Sequence, residues 1–180
     1  MAPIVADGVL YLTTSPTHMV NTPTKSFLYA IDVASGLAKW MFAADEDDPS
    51  QPISTNGLIF FSTRIDYYMK DFLNNPSKKE HDSRPPMATL YAIEAPSGKM
   101  KWQFQSRTDY QHYPASVVRD MVIWGTDHGV FGLDFETGNP RWRSAENKAE
   151  YRSFRAEERF VYSSTKEGLN ALDRVTGKGV

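Results

Sequence analysis

Residues 28–40, LYAIDVASGLAKW, decide how this chain is read. They predict a strand, a tight turn from Asp32 to Gly36 and a second strand. Ser35-Gly36 makes the reversal. Trp40 and then Phe42 alternate with polar or small neighbours, as in a half-buried strand. The stretch comes back. Residues 90–102 are LYAIEAPSGKMKW, residues 130–142 are VFGLDFETGNPRW, and residues 169–177 are LNALDRVTG. The shared frame is Ala or Gly, one residue, Asp or Glu, three residues, Gly, three residues, Trp. One copy predicts a hairpin. Four copies predict a repeat architecture.

Each copy is preceded by a second hairpin. Ile4-Val5 leads through Ala6-Asp7-Gly8 to Val9-Leu10-Tyr11-Leu12. The counterparts are Ile53-Ser54, Thr55-Asn56-Gly57 and Leu58 to Phe61; then Val117-Val118, Arg119-Asp120 and Met121 to Trp124; then Tyr151 to Tyr162. Three-residue Asp/Asn-Gly links are read as hairpin chemistry, with Gly in the positive-φ position. The unit is thus four short antiparallel strands, A to D. The period is 40 residues from Leu90 to Val130 and 39 from Val130 to Leu169. Four strands at this period predict propeller blades.

The predicted fold is therefore all-β, a single propeller segment over residues 1–180. Its blades lie at about 2–43, 51–105, 112–144 and 151–180, the last incomplete, which makes about three and a half. The second blade carries an insertion at 64–87 and the first a smaller one at 14–25, both between strands B and C. Tyr67 to Leu73 reads as a short helix. In an up-and-down blade the B–C links share a face with the D–A links. Functional decoration is expected on that rim, and the repeated Trp motif on the other. Trp124, on a strand B outside the motif, reads as core.

Bulk properties exclude several classes. The net charge of −2 gives no basic field for nucleic acid or an anionic membrane. No run of about 18 apolar residues is present to span a bilayer. Residues 1–12 carry no charged n-region or cleavage site, so they do not read as a signal peptide. Without cysteine there is no disulfide and no thiolate zinc site.

The frame resembles the tryptophan-docking motif of PQQ-like (quinoprotein-type) β-propellers. The matching residues are Ala30, Asp32, Gly36 and Trp40; Ala92, Glu94, Gly98 and Trp102; Gly132, Asp134, Gly138 and Trp142; and Ala171, Asp173 and Gly177 without a Trp. Glu94 stands for the usual Asp or Asn, and Gly132 for Ala. The resemblance covers nearly the whole chain apart from the insertions. It implies seven or eight blades, so this chain is expected to be a fragment. The other options are a closed four-bladed ring and two chains completing eight blades. Open blade ends would self-associate.

The resemblance implies two readings. One is a non-catalytic binding and assembly scaffold, similar to the propeller lipoproteins of the outer-membrane barrel-assembly machinery, with a protein partner or small ligand on the rim. The alternative is part of a PQQ- and Ca²⁺-dependent alcohol or sugar dehydrogenase. No stretch here matches a catalytic Asp loop, and the adjacent cysteines on which some members stack the quinone are absent. A third reading is the sensor domain of a membrane kinase. The family's compartment is extracytoplasmic. Candidate site residues are few. Asp45, Glu46, Asp47 and Asp48 could hold Ca²⁺ through carboxylate oxygens, but they lack EF-hand spacing and read first as a solvated link. His18, His81, His112 and His128 have no metal-type spacing and read as isolated surface groups. Lys78, Lys79 and Arg84 form a small basic group. Tyr67, Tyr68 and Phe72 form a potential partner patch, with folding back onto the blade an equal reading.

Overall fold

The computed structural model describes residues 2–15, 25–46, 48–65, 75, 77, 83–108, 112–144, 153–165 and 168–180. Tyr67, Tyr68, Phe72, Lys78, Lys79, His18, His81 and Asp47 lie outside them, as does the 67–73 helix expectation. Among the described residues there are only strands, and no helix is long and apolar enough to cross a membrane. Alternating β-branched and aromatic runs, cut by Asp-Gly, Asn-Gly and Ser/Thr-Gly turns, explain that content.

Four antiparallel sheets follow one another along the chain. The first is β1 (Ile4–Ala6), β2 (Val9–Thr14), β3 (Ser26–Asp32) and β4 (Ala38–Ala44), paired in that order. The second is β5 (Ile53–Thr55), β6 (Leu58–Ile65), β7 (Met87–Glu94) and β8 (Met100–Arg107). The third is β9 (Ser116–Val118), β10 (Met121–Thr126), β11 (Gly129–Asp134) and β12 (Pro140–Arg143). The fourth is three-stranded, with β13 (Ser153–Ala156), β14 (Phe160–Thr165) and β15 (Gly168–Asp173). A single bridge from Leu172 to Gly179 begins a further pairing. These are blades of a β-propeller.

The turns correct one detail of the sequence reading. Ala6 pairs with Val9 and Thr55 with Leu58, so the A–B loops have two residues, not three. Asp7 and Gly8 sit at φ 49° and 72°, Asn56 and Gly57 at φ 48° and 76°. Two successive positive φ values match the twist of the flanking strands, as in a type I′ hairpin.

Three apolar clusters fill the spaces between sheets, one per space. Val9, Tyr11 and Leu28 of the first sheet meet Ile59, Phe61 and Ile93 of the second. Leu58, Phe60 and Leu90 meet Val122, Trp124 and Phe131 of the third. Met121, Ile123 and Val130 meet Ala156, Val161 and Leu172 of the fourth. Strands β6 and β10 thus send alternate residues to opposite neighbours, which is the strand's period of two used on both faces. Trp124 is fully buried.

Candidate functional site

The repeated Trp motif works between sheets. In each C–D hairpin the register shifts beside the small residue, setting Trp40 opposite Ala30, Trp102 opposite Ala92 and Trp142 opposite Gly132. The bulge re-aims the indole toward the following sheet. There Trp40 Nε1 donates to the Ala95 carbonyl at 2.9 Å, Trp102 Nε1 to Phe135 at 3.0 Å and Trp142 Nε1 to Arg174 at 2.8 Å. Each ring lies flat on the turn glycine of that same sheet. A methyl on Gly98 would meet Trp40 Cδ2 at 2.6 Å, one on Gly138 would meet Trp102 Cδ2 at 2.5 Å, and one on Gly177 would meet Trp142 Cε3 at 2.4 Å. These glycines also hold φ near +70°, which other residues rarely adopt. Gly132 has its own cause: a Cβ there would fall 2.3 Å from Trp142 Cε2.

The acids of the motif build the turns. Asp134 Oδ1 accepts from the Thr137 amide and hydroxyl, and Asp173 Oδ1 from those of Thr176. Asp32 does the same with Ser35. Glu94 reaches further, and its Oε2 accepts from Ser97 Oγ at 2.6 Å. Arg141 bridges Asp134 and Asp120, each at 2.6 Å. That guanidinium, with the turn donors, holds the Asp134 carboxyl down to about 2.

The acidic link does not act as one cluster. Asp45 faces solvent and pairs with Lys25 at 3.0 Å. Glu46 turns inward and is buried. It accepts from Tyr91 Oη at 2.5 Å, Thr89 Oγ1 at 3.0 Å and Thr63 Oγ1 at 3.1 Å. Asp48 Oδ2 lies 3.7 Å from His112 Nε2 and 3.9 Å from Arg64 Nε. Burial, reinforced by the Glu46 carboxylate, pushes the Tyr91 hydroxyl far above its ordinary range. Among the described residues no three His, Asp or Glu side chains converge. The reading of a wholly solvated link fails at Glu46. The missed signal was phase: Trp40, Phe42, Ala44 and Glu46 lie on one face at a period of two.

His112 corrects a second expectation. Its side chain is only 5% exposed. Its Nδ1 lies 2.8 Å from Ser62 Oγ, and Ser62 is itself fully buried. The Ser62 amide donates to Ser50 Oγ at 2.9 Å, and Thr13 Oγ1 donates to the Ser50 carbonyl at 2.9 Å. Serine, histidine and aspartate here stand in succession and tie the link before β9 to the fully buried Ser62. His128 is half-buried in the short link after β10, its amide donating to Thr126 Oγ1 at 3.1 Å. Glu46, Ser50 and His112 all belong to D–A links, and they bind the ends of strands B and C. Those links therefore share one end of the sheets with the B–C connections.

Along one edge of the sheets, strands β5, β9 and β13 line an open cavity of about 550 Å³. Its charges are paired: Arg119 with Glu158 at 2.6 Å, and Arg155 with Glu157 at 3.1 Å. A quinone bearing carboxylates, bound with Ca²⁺, would need cations to spare and a converging set of oxygen donors. The lining of this cavity holds no cation outside those two pairs, and among the described residues no three His, Asp or Glu side chains converge.

Comparison with known proteins gives these features a family. The family model described as outer membrane protein assembly factor BamB matches residues 85–180. No curated protein matches. Among solved structures, BamB from Moraxella catarrhalis aligns with 100% of this chain and 46% of its own at 18% identity, with a TM-score of 0.64. Quinohemoprotein alcohol dehydrogenase ADHIIG from Pseudomonas putida HK5 aligns with 99% of this chain and 33% of its own at 17% identity and a TM-score of 0.64. The computationally designed Ika4 protein aligns with 95% of this chain and 88% of its own at 10% identity and a TM-score of 0.64. At these identities the likeness is one of fold. The chain spans less than half the length of the two natural structures. Its matched segment exceeds half of this chain, and the chain belongs to the PQQ-like β-propeller family described as outer membrane protein assembly factor BamB.

Proposed function

We propose that this chain is a non-catalytic scaffold of an extracytoplasmic assembly factor, holding a protein partner on the rim that carries the B–C and D–A connections. The observation that supports it is the family match over residues 85–180, whose description is an assembly factor. The chemistry of the described residues agrees. Polar side chains at that rim are tied to one another, as Glu46 is to Tyr91 and His112 to Ser62, and so stiffen a binding platform. The insertions at 14–25 and 64–87 join strand ends at that rim and are the expected contact segments.

Two measurements test this. The tagged protein, isolated from detergent-solubilised outer membranes, is expected to bring down the barrel-assembly machinery. Deleting residues 66–82 is expected to weaken that recovery while leaving thermal unfolding nearly unchanged. Separately, the protein is mixed with PQQ and Ca²⁺ and assayed for quinone absorbance and dye reduction with simple alcohols. Bound quinone with turnover overturns the scaffold and favours the dehydrogenase reading.

A further inference from the structure

The contact that recurs between the sheets is blind to sequence. Each docked indole lies on a turn glycine and donates to a backbone carbonyl, in the same way for Trp40, Trp102 and Trp142. The second, third and fourth sheets all offer that seat, so it does not tell one of them from another. Chains of similar units are prone to misassembly for this reason. Side chains outside the motif must set which sheet each link meets.

The sixth residue after the motif tryptophan differs from link to link. It is Glu46 after Trp40 and Thr108 after Trp102. Residue 148, the third such position, lies outside the described residues. Glu46 and Thr108 occupy equivalent places. They are 8% and 0% exposed. Each is held by the segment that enters strand C of its own sheet: the Ser26 amide donates to the Glu46 carbonyl at 2.9 Å, and the Thr108 amide to the Pro86 carbonyl at 3.1 Å.

Their side chains cross to the next sheet with opposite chemistry. Glu46 brings a carboxylate, and Thr63, Thr89 and Tyr91 of the second sheet meet it with hydroxyls. Thr108 brings a hydroxyl and donates it to Asp127 Oδ1 at 2.6 Å, in the link between β10 and β11. The strand register shows that the two pairs do not interchange. Thr63 stands opposite Thr89 in the second sheet, whereas Thr126 stands opposite Gly129 in the third. Two residues further, Tyr91 is matched by Phe131. A carboxylate entering the third sheet in place of Thr108 would lose two of its three donors and meet the Asp127 carboxylate. A threonine entering the second sheet would replace the charged acceptor of three buried hydroxyls by a neutral one. Specificity of this kind joins attraction to the right neighbour with repulsion from the wrong one. We infer that Glu46 and Thr108 are matched keys that select the sheet each link accepts, a carboxylate recognised by three hydroxyls and a hydroxyl recognised by a carboxylate, so that similar sheets stack in one order. This holds whichever function the rim serves.

Full-length variants test both halves of the inference. In the wild type, Asp127→Thr is expected to lower the folding equilibrium constant, because Thr108 loses its acceptor. In a Thr108→Glu background the same substitution is expected to raise it at least about tenfold, because a like charge leaves and a hydroxyl arrives. Thr108→Val is the milder background, in which Asp127→Thr should cost at least about fivefold less than in the wild type. An effect of Asp127→Thr that is the same in all three backgrounds overturns the pairing. Exchanging the keys (Glu46→Thr together with Thr108→Glu) keeps composition and net charge but mismatches both links. After refolding from urea, the ¹⁵N-labelled wild type is expected to show one indole N–H resonance per tryptophan. The exchanged chain is expected to show second resonances for Trp40 and Trp102 and a lower urea midpoint. One set of resonances at the wild-type midpoint overturns the selection of order. Where the exchanged chain does not fold, the comparison of backgrounds decides.

Discussion

The second and third sheets differ sharply from the first and fourth, although all four share one sequence frame. In β6 every residue from Leu58 to Thr63 is buried, and in β10 every residue from Met121 to Thr126 is buried. In β2 burial alternates, with Val9, Tyr11 and Thr13 inside and their neighbours half-covered. In β15 Leu169 is exposed and Leu172 is buried. The sheets flanked on both sides have two dry faces, and the others have one. A blade's second core face is therefore a property of its neighbour, as in other stacked repeats.

Breaking the central contact should have the largest effect. Trp102→Ala is expected to cost about 3–5 kcal/mol, read as a fall in the urea midpoint. A loss under about 1 kcal/mol would mean that burial between sheets two and three does not hold the stack. Next, Glu46→Ala should cost about 2–3 kcal/mol, because the hydroxyls of Thr63, Thr89 and Tyr91 lose their common acceptor in a buried place. Asp45→Ala, one residue away and exposed, is its control and should shift the midpoint by under about 0.5 kcal/mol. Equal effects would contradict the division of the acidic link.

Trp40→Ala sharpens the comparison at the outer sheet. Its ring is only half-buried, so about 2 kcal/mol is expected, less than for Trp102. The smallest effect belongs to the surface turn of the third sheet. The Asp134 carboxyl is depressed to about 2 against an ordinary value near 4. A depressed acid stabilises the fold above its unfolded pKa and loses that contribution as pH falls through the folded one. The stability gap between wild type and Asp134→Ala should thus be complete above about pH 5 and shrink toward pH 2. It should stay under about 1 kcal/mol, since the Arg141 pair is partly exposed to solvent. A gap that widens on acidification would reverse the assigned sign.

Much of this fold can be read from the chain because its signals are local and recur. Asp7-Gly8, Asn56-Gly57 and the four Ser/Thr-Gly turns each dictate their own hairpin within a few residues. The destination of each indole is not local. Nothing around Trp40 tells whether its N–H turns to its own turn or to Ala95 in the next sheet. By sequence alone Glu46 and His112 read as surface groups for the same reason. Their partners, Tyr91 and Ser62, come from other strands that only the stacked sheets bring near. The alternation through Trp40, Phe42 and Ala44 did carry a hint for Glu46, which a reading by charge alone discards.

The forward reach of each tryptophan also gives the stack a direction. Each of the first three sheets clamps the one synthesised after it, so that the fourth is held by Trp142. Stretched from its C-terminal end, the chain should therefore peel one sheet at a time, beginning with β13 to β15. Detaching the fourth sheet frees Trp142 and separating the first two frees Trp40, whereas losing the third frees Trp102 and Trp124 together, so the middle rupture should give the largest change in tryptophan emission.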